Sequence, residues 1–550
     1  MTPAFTRLDW AVLAAYFAAT LAVGLWFGLR NRTTDGFTAA GRSLPGWLCG
    51  LSIMATYLSS ISFLALPGKA FASNWNAFVF SLSIPFAAAI AAGIFVPHYR
   101  RGGEVSAYAH LERRFGAWAR IYAGGFYLLT QVARMGTVMY LMALPLEVLL
   151  GLGIRTLILV TGVVVTVYSF LGGITAVIWT DALQAMVLTA GALVCVAVLL
   201  FGVPGGPSEA ARIAWEHDKL SLGSWNPLDL SAATVWVVLL YGLAINLQNF
   251  GIDQSYVQRY VAARSDAEAR KAAWIGGLLY VPISAVFFLI GTCLFAYYQA
   301  HPAGLDDLRA SVAARQLAAA GVTADPAVRA EVLAERAAAL TPAEVGDRVF
   351  PHFIGTVLPP GVTGLIIAAI FAAAMSTVST SLNSSATLTL TDWYLAYVRP
   401  QAGERESLRV LRLATLGWGG AGIGMALLLA RVESVLDAWW ALAGIFGGGM
   451  LGLFLLGILS DRPDARAGAV GVVVGVAAIA ALSLPALAEF LQGFPESSTA
   501  HSLGGLVQRL RLGWLGRLHP FLIPVVGTLA ILAAGFSSTV LRGRSAARRR

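Results

Sequence analysis

Charged residues are scarce in this 550-residue chain: Asp, Glu, Lys and Arg make up only 12% of it, about half the share usual in a soluble domain. A soluble protein of this length needs a charged face on nearly every helix, so an ordinary soluble fold is excluded. Cysteine is scarcer still. Cys49, Cys195 and Cys293 lie far apart, each in or beside an apolar segment, which gives neither a metal-ligand spacing nor a disulfide framework. The glycine-rich phosphate loop of ATP-hydrolysing proteins is missing, so uphill work would have to draw on an ion gradient or the membrane potential. No cluster of histidines or carboxylates is poised for chemistry at membrane depth. His98, His110, His217, His301, His352, His501 and His519 fall mostly in loops or at the ends of apolar runs. A membrane-embedded enzyme is disfavoured on that ground.

What the chain has in abundance is apolar sequence, 57% of its residues. Short polar stretches interrupt it every 25 to 35 residues or so, as repeated bilayer crossings require. Windows of about 19 residues predict about thirteen spans: 9–29, 46–70, 76–97, 119–151, 155–178, 181–203, 232–250, 272–298, 361–392, 411–430, 437–460, 467–486 and 519–541. The first is too long for a signal-peptide core and lacks a basic leader, so it is read as a retained helix. The fold class is all-α, a polytopic membrane protein.

The formal net charge of +9 does not imply a nucleic-acid partner, because the basic residues are segregated. Arg30, Arg32 and Arg42 share one loop. Arg100, Arg101, Arg113 and Arg114 lie two spans later. Arg259, Arg264, Arg270 and Lys271 follow, then Arg399, Arg405, Arg409 and Arg412, then Arg462 and Arg466, then the tail from Arg542 to Arg550. With thirteen spans every cluster falls on one face, the cytoplasmic one by the positive-inside rule. That orientation puts the N-terminus outside and the C-terminus inside a plasma or inner membrane. Two long loops, 204–231 and 299–360, then fall outside. The second is Ala-rich, is divided by Pro302, Pro326 and Pro342, and predicts one or two short surface helices. The lipid bilayer and a small solute are the expected partners, with no obligate protein partner evident.

Ionisable and polar residues inside spans are functional candidates by default. Arg134 lies mid-span in Gln131-Val-Ala-Arg134-Met. Asp181 lies at the start of the sixth span. In the ninth, Ser376, Ser379 and Thr380 share one helix face, with Thr377 at its edge. Such a hydroxyl row either bonds backbone carbonyls or offers hard oxygens to a small cation; a nearby intramembrane carboxylate favours the cation. Ala55-Thr-Tyr57-Leu58-Ser59-Ser-Ile-Ser62 followed by Pro67-Gly68 predicts a broken helix. Tyr241-Gly, Asn246 and Gln248-Asn249-Phe-Gly251 predict a second. Two interrupted helices five apart fit an inverted five-helix repeat. The divisions are 1–45 (extra helix and loop), 46–203 (first repeat), 204–231 (loop), 232–460 (second repeat with the insertion 299–360) and 461–550 (two extra helices and a basic tail).

Three stretches, Gly172 to Gln184, Asp253-Gln-Ser-Tyr-Val-Gln-Arg259 and Leu365 to Thr391, resemble the sodium/solute symporters, the family of the sodium/glucose, iodide, multivitamin and bacterial sialic acid transporters. The resemblance covers about residues 8–465. It implies a fold of two inverted five-helix repeats, the LeuT-like core, and Na+ as the coupling ion. It implies one sodium site on the backbone carbonyls of Ala55, Leu58 and Ala373 and the hydroxyls of Ser376 and Thr377. It implies a second, found in some members, on Asp181, Ser376, Ser379 and Thr380. Gln131 to Met135 and Ala55 to Phe63 are most similar to bacterial sialic acid symporters, in which the arginine at the place of Arg134 grips a carboxylate and hydroxyls at Ser59 and Ser62 help hold the ligand. Tyr57 stands where those carry a small hydroxyl residue, and Ser81 where they carry Gln; both would line the substrate site. The sugar-site pattern of glucose carriers is absent, with Leu278 in place of a lysine. The expectation is sodium-coupled symport of a small anionic solute such as a sialic or other acidic sugar. The alternatives are a neutral sugar, vitamin or monocarboxylate, coupling to protons, or a membrane sensor built on a transporter fold.

Overall fold

The computed structural model describes residues 5–30, 33–319, 326–429, 449–492 and 518–547. These residues form a bundle of helices. α1 is Arg7–Arg30. α2 (Gly46–Tyr57) and α3 (Ser60–Ala72) form a pair bent by 58°. α4 is Phe78–Gly102, α5 Ala117–Leu150 and α6 Ile154–Gly202. α7 (Val235–Ile252) runs into the short α8 (Gln254–Ala262), and α9 is Asp266–Ala300. α10 (Pro302–Ala319), α11 (Pro326–Ala339) and α12 (Pro342–Thr356) form the insertion. α13 is Val362–Val398, α14 Glu404–Leu429 and α15 Gly449–Leu459. α16 is Ala465–Gln492 and α17 Ile523–Ala547.

Among the described residues ten helices are long and apolar enough to cross a bilayer, and the bent α2–α3 pair, taken as one span, makes an eleventh. α6 is two helices, 154–172 and 174–202, joined at Gly173 (φ +55°, ψ −151°). Counting it twice gives twelve. The turn between the expected fifth and sixth spans therefore comes earlier, at Gly173 rather than between 178 and 181. Only glycine suits it, since the conformation is left-handed and a Cβ there would meet the Phe37 carbonyl oxygen at 2.6 Å. The expected span 437–460 is described only from Gly449; the rest lies outside the described residues.

The first break falls inside the expected stretch 55–62 and the second just beyond the expected run 241–251. Pro67 and Gly68 sit inside α3; the chain leaves helical geometry earlier, at Leu58 (ψ 111°) and Ser59 (ψ 167°). Ser59 is the N-cap of α3, its hydroxyl accepting from Ser62 N–H, which satisfies a donor a new helix leaves open. The polar run of α7 stays helical through Gly251. The second break falls at Asp253, whose carboxylate caps α8 by accepting from Ser255 N–H.

The insertion holds three helices rather than one or two. Each begins on one of the prolines noted above, since proline suits the first helical position, where no N–H partner is needed. The loop 204–231 also carries a helix, Gly206–Glu216.

α13 is the axis of the fold. Its most apolar stretch is 83% buried, against 22% for α1, so the hydroxyl-bearing helix is surrounded by protein and α1 is peripheral. α13 packs on both halves of α6, on α5 and on α1. Glycines let other helices close in: a Cβ on Gly291 of α9 would sit 2.1 Å from the Pro67 carbonyl, the close approach that drives helix association in lipid.

Candidate functional site

Four elements converge beside the first break. Asp181 of α6 is fully buried. It accepts hydrogen bonds from Ser376 Oγ of α13 at 2.8 Å and from Ser52 Oγ of α2 at 2.5 Å. Its main partner is Arg259 of α8, with Nη2 2.8 Å from Oδ2 and both side chains fully buried. Arg259 also donates to Ser52 Oγ at 2.7 Å, Thr380 Oγ1 at 2.7 Å and Ser255 O at 2.5 Å. Thr380 Oγ1 lies 3.1 Å from Thr56 Oγ1 of α2.

Arg259 is thus no loop residue, as its basic neighbours had suggested. The cap at Asp253 restarts a helix that carries it into the core. Ser52, Thr56 and Arg259 escaped the reading of the sequence as site residues. In the sequence Arg259 stands among basic loop residues, although it also belongs to the motif Asp253–Arg259. Asp181, Ser376 and Thr380 are brought together, with a guanidinium rather than open space between Asp181 and Thr380. Ser379 turns its hydroxyl to the Ser376 carbonyl, 3.0 Å away on its own helix.

The other expected sodium set is divided between the end of α2 and α13. Helix α2 stops at Tyr57, so the carbonyls that follow Met54 have no further turn of helix to bond. Met54 O accepts from Leu58 N–H at 3.1 Å, and Thr56 O accepts from Arg134 Nη2 at 3.2 Å. Ala55 and Leu58 flank the break. On α13, Thr377 Oγ1 donates to Ala373 O at 3.2 Å, which places those two oxygens side by side, next to Ser376.

Arg134 is half-buried on α5. Among the described residues it makes one hydrogen bond, to Thr56 O, which leaves most of its five donors available, and no carboxylate there pairs with it. Gln131, one turn earlier, accepts from Ser381 Oγ at 2.7 Å and fixes this face of α5 on α13. Ser59, Ser62 and Tyr57 are half-buried at the break beside it, with the two serine hydroxyls 3.3 Å apart. The Tyr57 hydroxyl bonds Asn246 and Asn249 of α7, and its ring lies edge-on to Tyr280, centroids 4.5 Å apart. Ser81 sits deeper, buried, its hydroxyl 2.8 Å from that of Ser284. Leu278 is 52% exposed while Tyr280 and Ser284 of the same helix are buried, so Leu278 is no part of this cluster.

A broken helix packed on a buried hydroxyl helix, with one unpaired arginine at the break, defines a solute carrier of the inverted-repeat class. The model of the Sodium:solute symporter family matches residues 37–475, and the chain belongs to that family. It is 33% identical to the sodium/sialic acid symporter SiaT of Proteus mirabilis, over 87% of this chain and 90% of that one. It is 32% identical to the sodium/sialic acid symporter NanT of Aliivibrio fischeri, over 86% and 87%, and 29% identical to the human sodium/iodide cotransporter, over 95% and 76%. The solved structure of a Na+-coupled sialic acid symporter in its substrate-bound outward-open state superposes with TM-score 0.80 at 29% identity, covering 98% of both chains. A nucleobase-cation-symport-1 transporter, Mhp1, shares the fold at TM-score 0.52 and 15% identity, over 94% and 96%. The protein is therefore a multi-pass membrane transporter, not an enzyme, and its coupling ion is sodium.

Proposed function

We propose that this symporter carries a carboxylate-bearing sugar acid of the sialic acid type. The observation that carries the reading is Arg134: a half-buried guanidinium at the helix break, with free donors and no carboxylate partner among the described residues. A planar fork of this kind suits bidentate capture of a carboxylate. The similarity to SiaT and NanT supports it. Ser59 and Ser62, half-buried at the same break, supply hydroxyls for the remainder of the ligand, with Tyr57 beside them and Ser81 buried deeper. On this reading the repeats run over 46–203 and 232–460, and the segregation of the basic clusters supports an N-terminus outside and a C-terminus in the cytoplasm.

Sodium at Ala55, Leu58, Ala373, Ser376 and Thr377 bridges the break to α13. It stabilises the outward-facing arrangement because it binds that arrangement better. The solute then docks on Arg134, and rocking of the bundle exposes both inward. A second sodium at Asp181, Ser376, Ser379 and Thr380 requires Arg259 to withdraw from Asp181. Two sodium ions with one monoanion move one net charge, which gains about 2.3 kcal/mol per 100 mV.

The test is thermal stabilisation of the purified protein by N-acetylneuraminic acid and by its methyl ester, each in sodium and in potassium. A shift for the free acid, in sodium only, is expected. An equal shift for the ester would overturn the carboxylate assignment. A shift in potassium would overturn the coupling.

A further inference from the structure

The end of α3 that lies away from the helix break is held by the loop that follows α6. α3 ends at Ala72, and carbonyls at a helix end need partners from outside the helix. Lys219 supplies one. Its Nζ donates to Phe71 O at 2.7 Å and to Ser73 O at 2.9 Å, and it stands 3.9 Å from the centre of the Phe295 ring of α9. The side chain is buried, and among the described residues it forms no ion pair. The negative end of a helix favours a cation, and so does an aromatic face; together they let a lysine be buried here without a carboxylate.

Neutral ties run beside it. Trp75 N–H donates to Ser221 O at 2.9 Å, and Asn76 Nδ2 donates to Leu222 O at 2.9 Å. Trp75 Nε1 donates to Thr292 Oγ1 of α9 at 2.9 Å. Residues 219–222 thus fasten the end of α3, and Lys219 is the one charged tie among these. At its other end α3 begins at the break, with Ser59 as its cap and Ser62 in its first turn. Its 13 residues span about 20 Å. A helix that meets its neighbour through the non-helical Leu58 and Ser59 has its tilt set by what holds the far end.

We propose that Lys219 is a positioning residue for transport: it sets the tilt of α3, and through α3 the place of Ser59 and Ser62 at the break. The role does not depend on which solute is carried. Burial holds the Lys219 ammonium down, to about 8, so the tie loses its charge as the pH rises through that value. The titratable groups on the elements around it are His217 and Asp218 of its own loop, Lys69 of α3, and Tyr297, Tyr298 and His301 of the end of α9. His217 lies against the same Phe295 ring, centroids 5.2 Å apart. Lys69 acts on Asp347 of α12, and Tyr298 is bonded to His352 of α12.

The test places a cysteine at Ala65 of α3, which lines a cavity of about 750 Å³ between α3, α5 and the insertion. The native Cys49, Cys195 and Cys293 are buried. The full-length protein is labelled in detergent with a water-soluble maleimide, at fixed sodium and without solute. K219M keeps the stem over Phe295 and removes the charge; K219R keeps a charge that does not titrate. At pH 7 Ala65→Cys should react about fivefold faster with K219M than in the parent background, within the worth of one hydrogen bond to a charged group. With K219R it should react as in the parent. Between pH 7 and 9 the ratio of K219M to parent should shrink towards one, because the parent then loses the charge as well. The ratio of parent to K219R should rise over the same interval, a reading that stands even if K219M does not fold. Both ratios cancel the ionisation of the thiol itself. Equal rates in K219M and parent at pH 7, equal gains in K219M and K219R, or ratios that ignore pH would each overturn the proposal.

Uptake into vesicles tests the link to the solute site. In K219M, KM for N-acetylneuraminic acid should rise with little change in kcat. An unchanged KM beside faster labelling would overturn that link. A parent that takes up no N-acetylneuraminic acid would sink the substrate reading, and the labelling alone would then decide on Lys219.

Discussion

Arg259 and Asp181 form an ion pair at 2.8 Å with neither side chain exposed, and the pair joins the segment after the second break to the scaffold helix α6. A buried pair adds little net stability, but removing one partner strands the other as an uncompensated charge, at about 3–5 kcal/mol. Asp181→Asn should therefore lower the melting temperature sharply, and D181N/R259Q should recover most of the loss. A double variant no more stable than D181N would refute the pairing argument. Sodium dependence gives a second readout: if sodium reaches Asp181 during the cycle, D181N/R259Q should lower the Hill coefficient for sodium towards one.

Thr377 tests the other sodium set. Thr377→Val keeps the side-chain shape and removes the hydroxyl oxygen beside the Ala373 carbonyl. The sodium concentration for half-maximal uptake should rise about tenfold, which corresponds to roughly 1.4 kcal/mol. Thr377→Ser should stay close to the parent, since the oxygen remains. Equal losses in both variants would make packing, not coordination, the role of this position.

How much of this was readable in the sequence depended on which forces set each feature. Lipid forces a crossing helix to be apolar over about 20 residues, so the spans stand out, and α13 was legible as the hydroxyl helix. The breaks were harder, because capping and side-chain partners decide them rather than polarity. Ser59 ends the first helix segment by capping the next, while Pro67 is tolerated within α3. Asn246 and Asn249 leave α7 helical because their amides bond the Tyr57 and Ser83 hydroxyls and the Phe80 carbonyl of α4 instead of the backbone of their own helix. Arg134, Tyr57, Ser59 and Ser62 could be found as polar residues in apolar runs. Arg259 could not, because a basic residue near other basic residues reads as a loop, and only the fold of α8 shows that it points inward.

Asp392, at the far end of α13, is buried and joins three elements at the end of the bundle that carries the basic clusters. It accepts from Ser106 Oγ at 2.7 Å, Arg120 Nη2 at 2.8 Å and Thr391 Oγ1 at 2.8 Å. Asp392→Asn should loosen this closure, since it removes the charge that Arg120 shares between Asp392 and Glu112. A cysteine placed at Ser384 should then react several-fold faster with a water-soluble maleimide than in the parent background. An unchanged labelling rate would show that the network does not hold this end shut.

His110 sets a pH limit on stability. Burial pushes its imidazole down to about 4, with His98, Arg113 and Arg114 adding to the shift. The ring stands edge-on to that of His98, centroids 4.3 Å apart. The folded protein keeps His110 neutral, whereas the unfolded chain protonates it near pH 6.5. Below that pH the unfolded state binds more protons, so stability falls as the pH drops from about 6.5 towards 4. The stability this group contributes is fully present above pH 6.5. His110→Gln cannot titrate and should lose less melting temperature over that interval than the parent, with the two curves parallel above pH 7. If both fell equally between pH 6.5 and 4, other groups, the carboxylates among them, would account for the acid sensitivity.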